Sequence, residues 1–228
     1  MYSFLSSRAT VIMHRAPSVL AALLLAASLR PVAASPASRT GNCPVGIYQL
    51  KDGSKLDVGA GSGGHLLWRK EDGRTGLLTR DGKNTWTSTL GWTGRPDGRH
   101  VSFDCAEETV NFAGLSGKRI PLQVTNVTFQ GAGVHLAGRL VMPPGDQRIP
   151  IVVLVHGSEH ESALKFYPLQ RQFPAEGIGV FVYDKRGTGK SGGTYTQNYL
   201  LLAEDAIAAA NEAKHVAGAR AGRIGYQG

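Results

Sequence analysis

The sequence predicts an α/β chain: a sheet opened by a β-hairpin and continued by parallel strands with helices between them, preceded by a small all-β module. Three observations predict it. Residues 149–155 (Ile-Pro-Ile-Val-Val-Leu-Val) are apolar without alternation, as in a strand buried on both faces of a parallel sheet. A second apolar run, 178–183, and a helical pattern over 200–216 follow it in the order strand, helix, strand, helix. Upstream, Asp-Gly pairs recur between short runs of β-branched and aromatic residues, which is the pattern of antiparallel hairpins.

The elements divide the chain into 1–34, 35–41, 42–118 and 119–228. Arg8, His14 and Arg15 precede an apolar run of 11 residues, 19–29, and Val32-Ala33-Ala34 places small residues at a cleavage site. Residues 1–34 therefore read as a cleavable signal peptide, because 11 apolar residues fall well short of the roughly 20 that span a bilayer. The expectation is an exported protein, periplasmic or secreted, with no stable membrane anchor. Residues 35–41 form a polar linker.

Residues 42–118 carry turn signals at Lys51-Asp52-Gly53, Glu71-Asp72-Gly73-Arg74, Arg80-Asp81-Gly82-Lys83 and Pro96-Asp97-Gly98. The segment reads as a β-rich module tied by Cys43 and Cys105, the only two cysteines. In an exported protein such a pair reads as a disulfide, worth roughly 4 kcal/mol on the chain-entropy model. Trp68, Trp86 and Trp92 suit core packing better than a ligand platform. A platform remains the basis of a second reading, an exported non-catalytic binding protein that uses this module.

In 119–228, two alternating runs around Gly131-Ala132-Gly133 form a hairpin that Pro143-Pro144-Gly145 ends. Residues 162–176 read as one helix interrupted by Pro168 and Pro174 and ended by Gly177. Residues 200–216 read as a helix with Leu200, Ala203, Ile207 and Ala210 in one stripe, Thr196 or Asn198 as its cap and Gly218 as its terminator. Residues 223–227 begin a third parallel strand.

Charge narrows the function classes. Three of the 25 lysines and arginines lie in the first 34 residues, and the rest of the formal +8 is scattered rather than clustered. A nucleic-acid partner is therefore not expected. No C-x-x-C occurs and no two histidines sit at ligand spacing on a helix, so neither a metal nor any other cofactor is expected.

Two motifs point to chemistry. In His156-Gly157-Ser158, Gly157 permits a sharp turn at the strand end, so that the Ser158 N–H points back over it, where an acyl oxyanion could sit. His156 reads as a residue that orders the loop by hydrogen bonding rather than as a base. Ser158 is a weak nucleophile candidate, because no helix follows directly to aim its hydroxyl. The second motif is Asp184-Lys185-Arg186-Gly187-Thr188-Gly189-Lys190-Ser191-Gly192-Gly193. It satisfies G-x-G-x-x-G from Gly187 to Gly192, but three residues separate the strand from the first glycine and no helix opens inside the motif, so nucleotide binding is disfavoured. It also satisfies G-x-S-x-G around Ser191, yet a nucleophile elbow requires a direct strand-to-helix turn. The better reading is a rigid loop in which Asp184 and Arg186 pair, internally or with neighbours.

A hairpin, an apolar strand ending in His156-Gly157-Ser158, a helix, and a strand ending in Asp184-Lys185-Arg186-Gly187-Thr188-Gly189-Lys190-Ser191 resemble the α/β-hydrolases, most of all the serine aminopeptidase and acyl-esterase branch. The resemblance covers about residues 120–228. It implies an incomplete α/β-hydrolase sheet, oxyanion-hole donors at Ser158 and Gly157, and a structural active-site loop of His156, Asp184, Arg186, Gly187, Gly189 and Ser191. It implies a serine hydrolase of ester or peptide bonds, a small-molecule ester or peptide substrate, and no cofactor. In that family the third parallel strand leads into the nucleophile elbow, with Gly228 as its first glycine. Nucleophile, acid and base would then all follow Gly228. The expectation is an N-terminal fragment, inactive as it stands, with an exposed last strand; oligomeric state stays open.

Overall fold

The computed structural model describes residues 43–228. The expected signal peptide and linker lie outside the described residues.

Eight strands follow one another: β1 (Gly46–Leu50), β2 (Lys55–Ala60), β3 (Leu66–Lys70), β4 (Thr75–Arg80), β5 (Thr85–Thr89), β6 (Pro96–Asp104), β7 (Thr109–Phe112) and β8 (Leu115–Arg119). Each pairs antiparallel with the next, and β8 returns to β1 (Tyr48 opposite Arg119, Leu50 opposite Gly117), which closes a barrel. Gly53 and Gly73, at φ of +84° and +85°, supply the left-handed residue that the β1–β2 and β3–β4 turns need. Alternate residues point inward: Tyr48 and Leu50, Leu56 and Val58, Val101 and Phe103, Val110 and Phe112. Each such side chain stabilises the barrel by about 1.5–3 kcal/mol relative to exposure.

Pro96-Asp97-Gly98, expected as a turn, instead opens β6 as a bulge, with the pairing shifting from Thr87–His100 to Thr89–Pro96. Gly98 lies at φ +75°, and the Asp97 carboxylate accepts the Arg99 N–H at 3.0 Å and the Ser88 hydroxyl at 3.1 Å. An Asp-Gly pair thus serves a bulge as well as a turn. Trp68 and Trp86 lie in the barrel core, the Trp68 indole donating to Ser88 Oγ at 2.9 Å, while Trp92 is exposed. The three tryptophans do not form one platform.

Cys43 and Cys105 lie against each other, their Cα atoms 5.6 Å apart. Beside them the buried Tyr48 hydroxyl lies 3.0 Å from Pro44 O and accepts from Arg119 Nη2 at 2.8 Å. Burial pushes the Tyr48 hydroxyl up to about 12, against the lowering pull of Arg119. Because the folded value lies above the unfolded one of about 10, this contribution to stability is complete below pH ~10 and lost as pH rises through about 12. Tyr167 has the same direction and window. The thermal-unfolding midpoint is therefore expected to fall across that range, and to fall less in Tyr48→Phe; equal slopes in the two proteins would contradict the assignment.

The second sheet contains β9 (Gln123–Gln130), β10 (His135–Met142), β11 (Ile149–Leu154), β12 (Gly179–Tyr183) and β13 (Ala221–Gln227) in the order β13-β11-β12-β10-β9. β11 runs parallel to β12 and β13, whereas β10 is antiparallel to both β12 and β9. Its helices are α1 (Ala163–Phe166), α2 (Leu169–Ala175) and α3 (Tyr199–Ala217).

These facts correct the expected fold class. The described chain is mostly β, dominated by an eight-stranded antiparallel closed barrel, and its second sheet is mixed, with few helices. It is not an α/β chain on a hydrolase-type sheet. The cause is the upstream segment: its eight short strands, expected as a minor module, close on themselves and outnumber the strands of the second sheet.

The helix expected over 162–176 is two helices. Tyr167 precedes Pro168 and takes an extended conformation (φ −70°, ψ 118°), which stops α1. Asn198 caps α3, its side chain accepting from Leu201 N. The stripe expected on α3 is corrected as well. Ala206, Ala209, Ala210 and Ala213 face the sheet, while Leu200 is 81% exposed and Ile207 is exposed too. Small side chains let the helix approach Ile151, Val153 and Phe181 closely, and a buried Asp205 on the same face fixes its rotation. On the opposite face, α1 and α2 cover Leu154, Val180 and Val182.

Candidate functional site

The site lies where β11 and β12 end side by side. β11 delivers His156-Gly157-Ser158. The buried His156 ring has Nε2 2.7 Å from Glu161 O and Nδ1 3.3 Å from Gly157 O. Both ring nitrogens thus face loop carbonyls, and the imidazole orders the turn. Gly157 donates its N–H to the Tyr167 hydroxyl at 2.9 Å, and that hydroxyl bonds to the Glu159 carboxylate. The bond from Tyr167 holds the Glu159 carboxyl below the usual carboxylate range. A side chain at Gly157 would collide with Glu159. Ser158 is exposed, and the described residues offer its N–H no acceptor. Its carbonyl accepts from the Tyr195 hydroxyl at 2.5 Å. Of the two expected oxyanion donors, the Gly157 N–H is engaged and the Ser158 N–H is open.

β12 delivers the Asp184–Ser191 loop. Asp184 is completely buried; it accepts from Ser162 Oγ at 2.7 Å and from the Leu164 and Lys190 N–H groups at 3.0 Å each. It therefore holds the start of α1 against the loop. Ser191 Oγ donates to Asp184 O at 2.5 Å and accepts from Ala137 N at 2.9 Å. A hydroxyl engaged on both sides is a strut of the loop. Gly187 and Gly189 have φ of +73° and +52°, and a Cβ at either would strike Tyr195 or Asp184. Asp184 and Arg186 pair with neighbours rather than with each other. Arg186 reaches Asp205 of α3 through Nε and Nη2, both at 2.7 Å, and that hydrogen-bonded carboxylate holds the guanidinium above its usual pKa. A buried carboxylate fills the loop where a phosphate cradle would be empty, and α3 opens only at Tyr199, so the geometry is not that of a nucleotide loop.

The sequence motifs missed four side chains that complete the site: Tyr167, Lys185, Tyr195 and Asp205. Lys185 is 1% exposed, with its ammonium 2.5 Å from Gly157 O and 4.4 Å from the Tyr195 ring centre. Tyr195 also stacks on His160, ring centres 3.6 Å apart. A buried lysine inside a motif otherwise read for its glycines was the one available signal.

Among the described residues no serine hydroxyl bonds a histidine, no group of His, Cys, Asp and Glu converges as a metal site, and no helix is long and apolar enough to cross a membrane. A hollow of about 630 Å³ on the barrel, lined by Gln49, Phe103, Asn111 and Lys118 among others, includes no residue of the second sheet.

Residues 146–220 match the family model described as serine aminopeptidase, S33. No curated protein matches the chain. Among solved structures, the chain is similar to a hypothetical protein of Pseudomonas aeruginosa (24% identity, 46% of this chain and 34% of that one, TM-score 0.38). It is similar to the esterase Pf2001 of Pyrococcus furiosus (25% identity, 46% and 41%, TM-score 0.40). It is also similar to an acetyl xylan esterase of Paenibacillus sp. R4 (22% identity, 47% and 41%, TM-score 0.38). The chain thus spans between 34% and 41% of the length of these structures. The segment 146–220, which contains the His-Gly-Ser turn and the Asp184–Ser191 loop, is thus similar to the serine aminopeptidase family, S33.

Proposed function

We propose that this chain supplies the oxyanion-hole half of a serine hydrolase acting on a small ester or peptide substrate. Ser158 N–H is the donor in this reading, and Asp184, Arg186, Gly187, Gly189 and Ser191 form the loop that holds the rim. The observation that carries the reading is the exposed Ser158 N–H at the end of β11, open while its neighbours are held. Such a donor stabilises charge that develops on an acyl oxygen. Neither Ser158 nor Ser191 has a histidine partner, so the reading assigns nucleophile, acid and base to sequence after Gly228 and makes the present chain inactive. It also has the protein exported through residues 1–34, with Cys43 and Cys105 oxidised and the mature chain starting at Ser35.

A fluorophosphonate probe tests this. The 228-residue chain should remain unlabelled, and a chain extended to include a G-x-S-x-G beginning within about five residues of Gly228 should label at that serine. Labelling of the shorter chain at Ser158 or Ser191, or an extension without such a serine, overturns the reading.

A further inference from the structure

We propose that Lys185 is a positioning residue for the oxyanion donor: by holding the Gly157 carbonyl, its ammonium turns the Ser158 N–H toward the β13 side of β11 and strengthens it as a donor. The proposal rests on the hydrolase reading and assigns that site a residue the reading does not contain.

The argument begins with an improbable burial. Lysine is among the residues least often fully buried, and a buried charge requires a partner. Lys185, the second residue after β12, is 1% exposed. Its ammonium could have met a carboxylate, and Glu159 is near enough to act on it electrostatically. That carboxylate is instead engaged by Tyr167. The ammonium takes Gly157 O, the carbonyl of the very peptide whose N–H is open.

The peptide geometry then sets the direction. The described residues contain no cis peptide bond, and in a planar trans peptide C=O and N–H point in opposite directions. Strand order places β12 on one side of β11 and β13 on the other. A carbonyl drawn toward a residue of the β12 loop sends its N–H away from that loop, toward β13. A hydrogen bond accepted by a carbonyl also polarises its own peptide and makes the N–H a stronger donor. The flanking groups are held by other side chains, Gly157 N–H by Tyr167 and Ser158 O by Tyr195, so the peptide cannot easily rotate back. Burial keeps the ammonium below the usual lysine pKa, with Glu159 opposing the shift.

The test uses the full chain labelled with carbonyl-carbon glycine and amide-nitrogen serine. Only three Gly-Ser peptides then give signals: 53–54, 61–62 and 157–158. In Lys185→Met the 157–158 signal should move upfield in both carbonyl carbon and amide proton while the other two stay. Lys185→Arg, which keeps the cation, should return it toward its original place. In the unsubstituted protein a through-hydrogen-bond correlation should join the Lys185 ammonium to the Gly157 carbonyl, which needs no variant to fold. A missing correlation, a signal unmoved in Lys185→Met, or no return in Lys185→Arg overturns the proposal. None of these signals requires a nucleophile, so an unmoved signal leaves the hydrolase reading intact, and an unlabelled extended chain removes that reading while the turn geometry stands.

Discussion

Asp205→Ala is expected to lower the unfolding free energy by about 3–5 kcal/mol, the range for breaking a buried ion pair by removing one partner. Asp205 is completely buried on α3, and its carboxylate accepts both Arg186 bonds and the Ala132 N–H at 2.9 Å. Arg186 in turn donates to Ala132 O at 2.9 Å. One ion pair therefore ties together three elements: α3, the loop after β12 and the β9–β10 turn. Asp205→Ala leaves a buried guanidinium bonded to one carbonyl and to no carboxylate. Asp205→Asn should cost less, since an amide oxygen keeps part of the bonding. The double variant Arg186→Met/Asp205→Leu should recover most of the loss, because an apolar pair of similar volume removes the uncompensated charge. Denaturant unfolding of the three variants checks this. A loss under about 1 kcal/mol in Asp205→Ala, or a double variant worse than the single, would refute the account.

The strands near the site were legible because their physics is local. The run at 149–155 is apolar on both sides, and β11 occupies Ile149–Leu154 of it. The barrel was legible only in pieces. Alternation tells which face of a strand is buried, and Asp-Gly tells where the chain can reverse, but neither states that β8 will meet β1. Closure is a property of the whole set, and it reversed the balance of the fold. On α3 the large apolar residues misled: tight approach to a sheet selects alanine, and the rotation was set by Asp205, whose partner lies in a different loop. The site shows the same division. His156-Gly157-Ser158 was visible as a turn because glycine and strand end are neighbours in sequence. Its supports were not, since Tyr167 comes from the end of α1 and Lys185 and Tyr195 from the loop after β12, and only the fold brings them to one turn.

The second large effect is expected at the contact between barrel and α2. Arg171 of α2 donates to Asp57 of β2 through Nε at 2.6 Å and Nη2 at 3.1 Å, with Asp57 only 2% exposed. Arg69 of β3 brings a second guanidinium to the same carboxylate, Nη1 3.7 Å from Oδ2, and that nitrogen is buried without a hydrogen bond. Burial, with Arg171 adding to it, holds Arg69 below the usual arginine pKa, while Asp57 opposes the shift. Two cations thus share one anion, and the two ends of the pair are not equivalent. Arg171→Ala removes one cation and leaves Asp57 facing Arg69, which can move in. Asp57→Ala leaves the buried Arg171 and half-buried Arg69 guanidinium groups facing each other with no anion between them. Asp57→Ala should therefore be the more damaging change, at about 3–5 kcal/mol, with Arg171→Ala clearly below it. Adding Arg69→Met to Asp57→Ala should restore part of the loss by removing the repulsion, whereas adding it to Arg171→Ala should deepen the loss by stranding Asp57. Denaturant unfolding of the four proteins reads these signs directly. If both Arg69→Met additions shift stability in the same direction, the shared-anion account fails and the contact is held by packing alone.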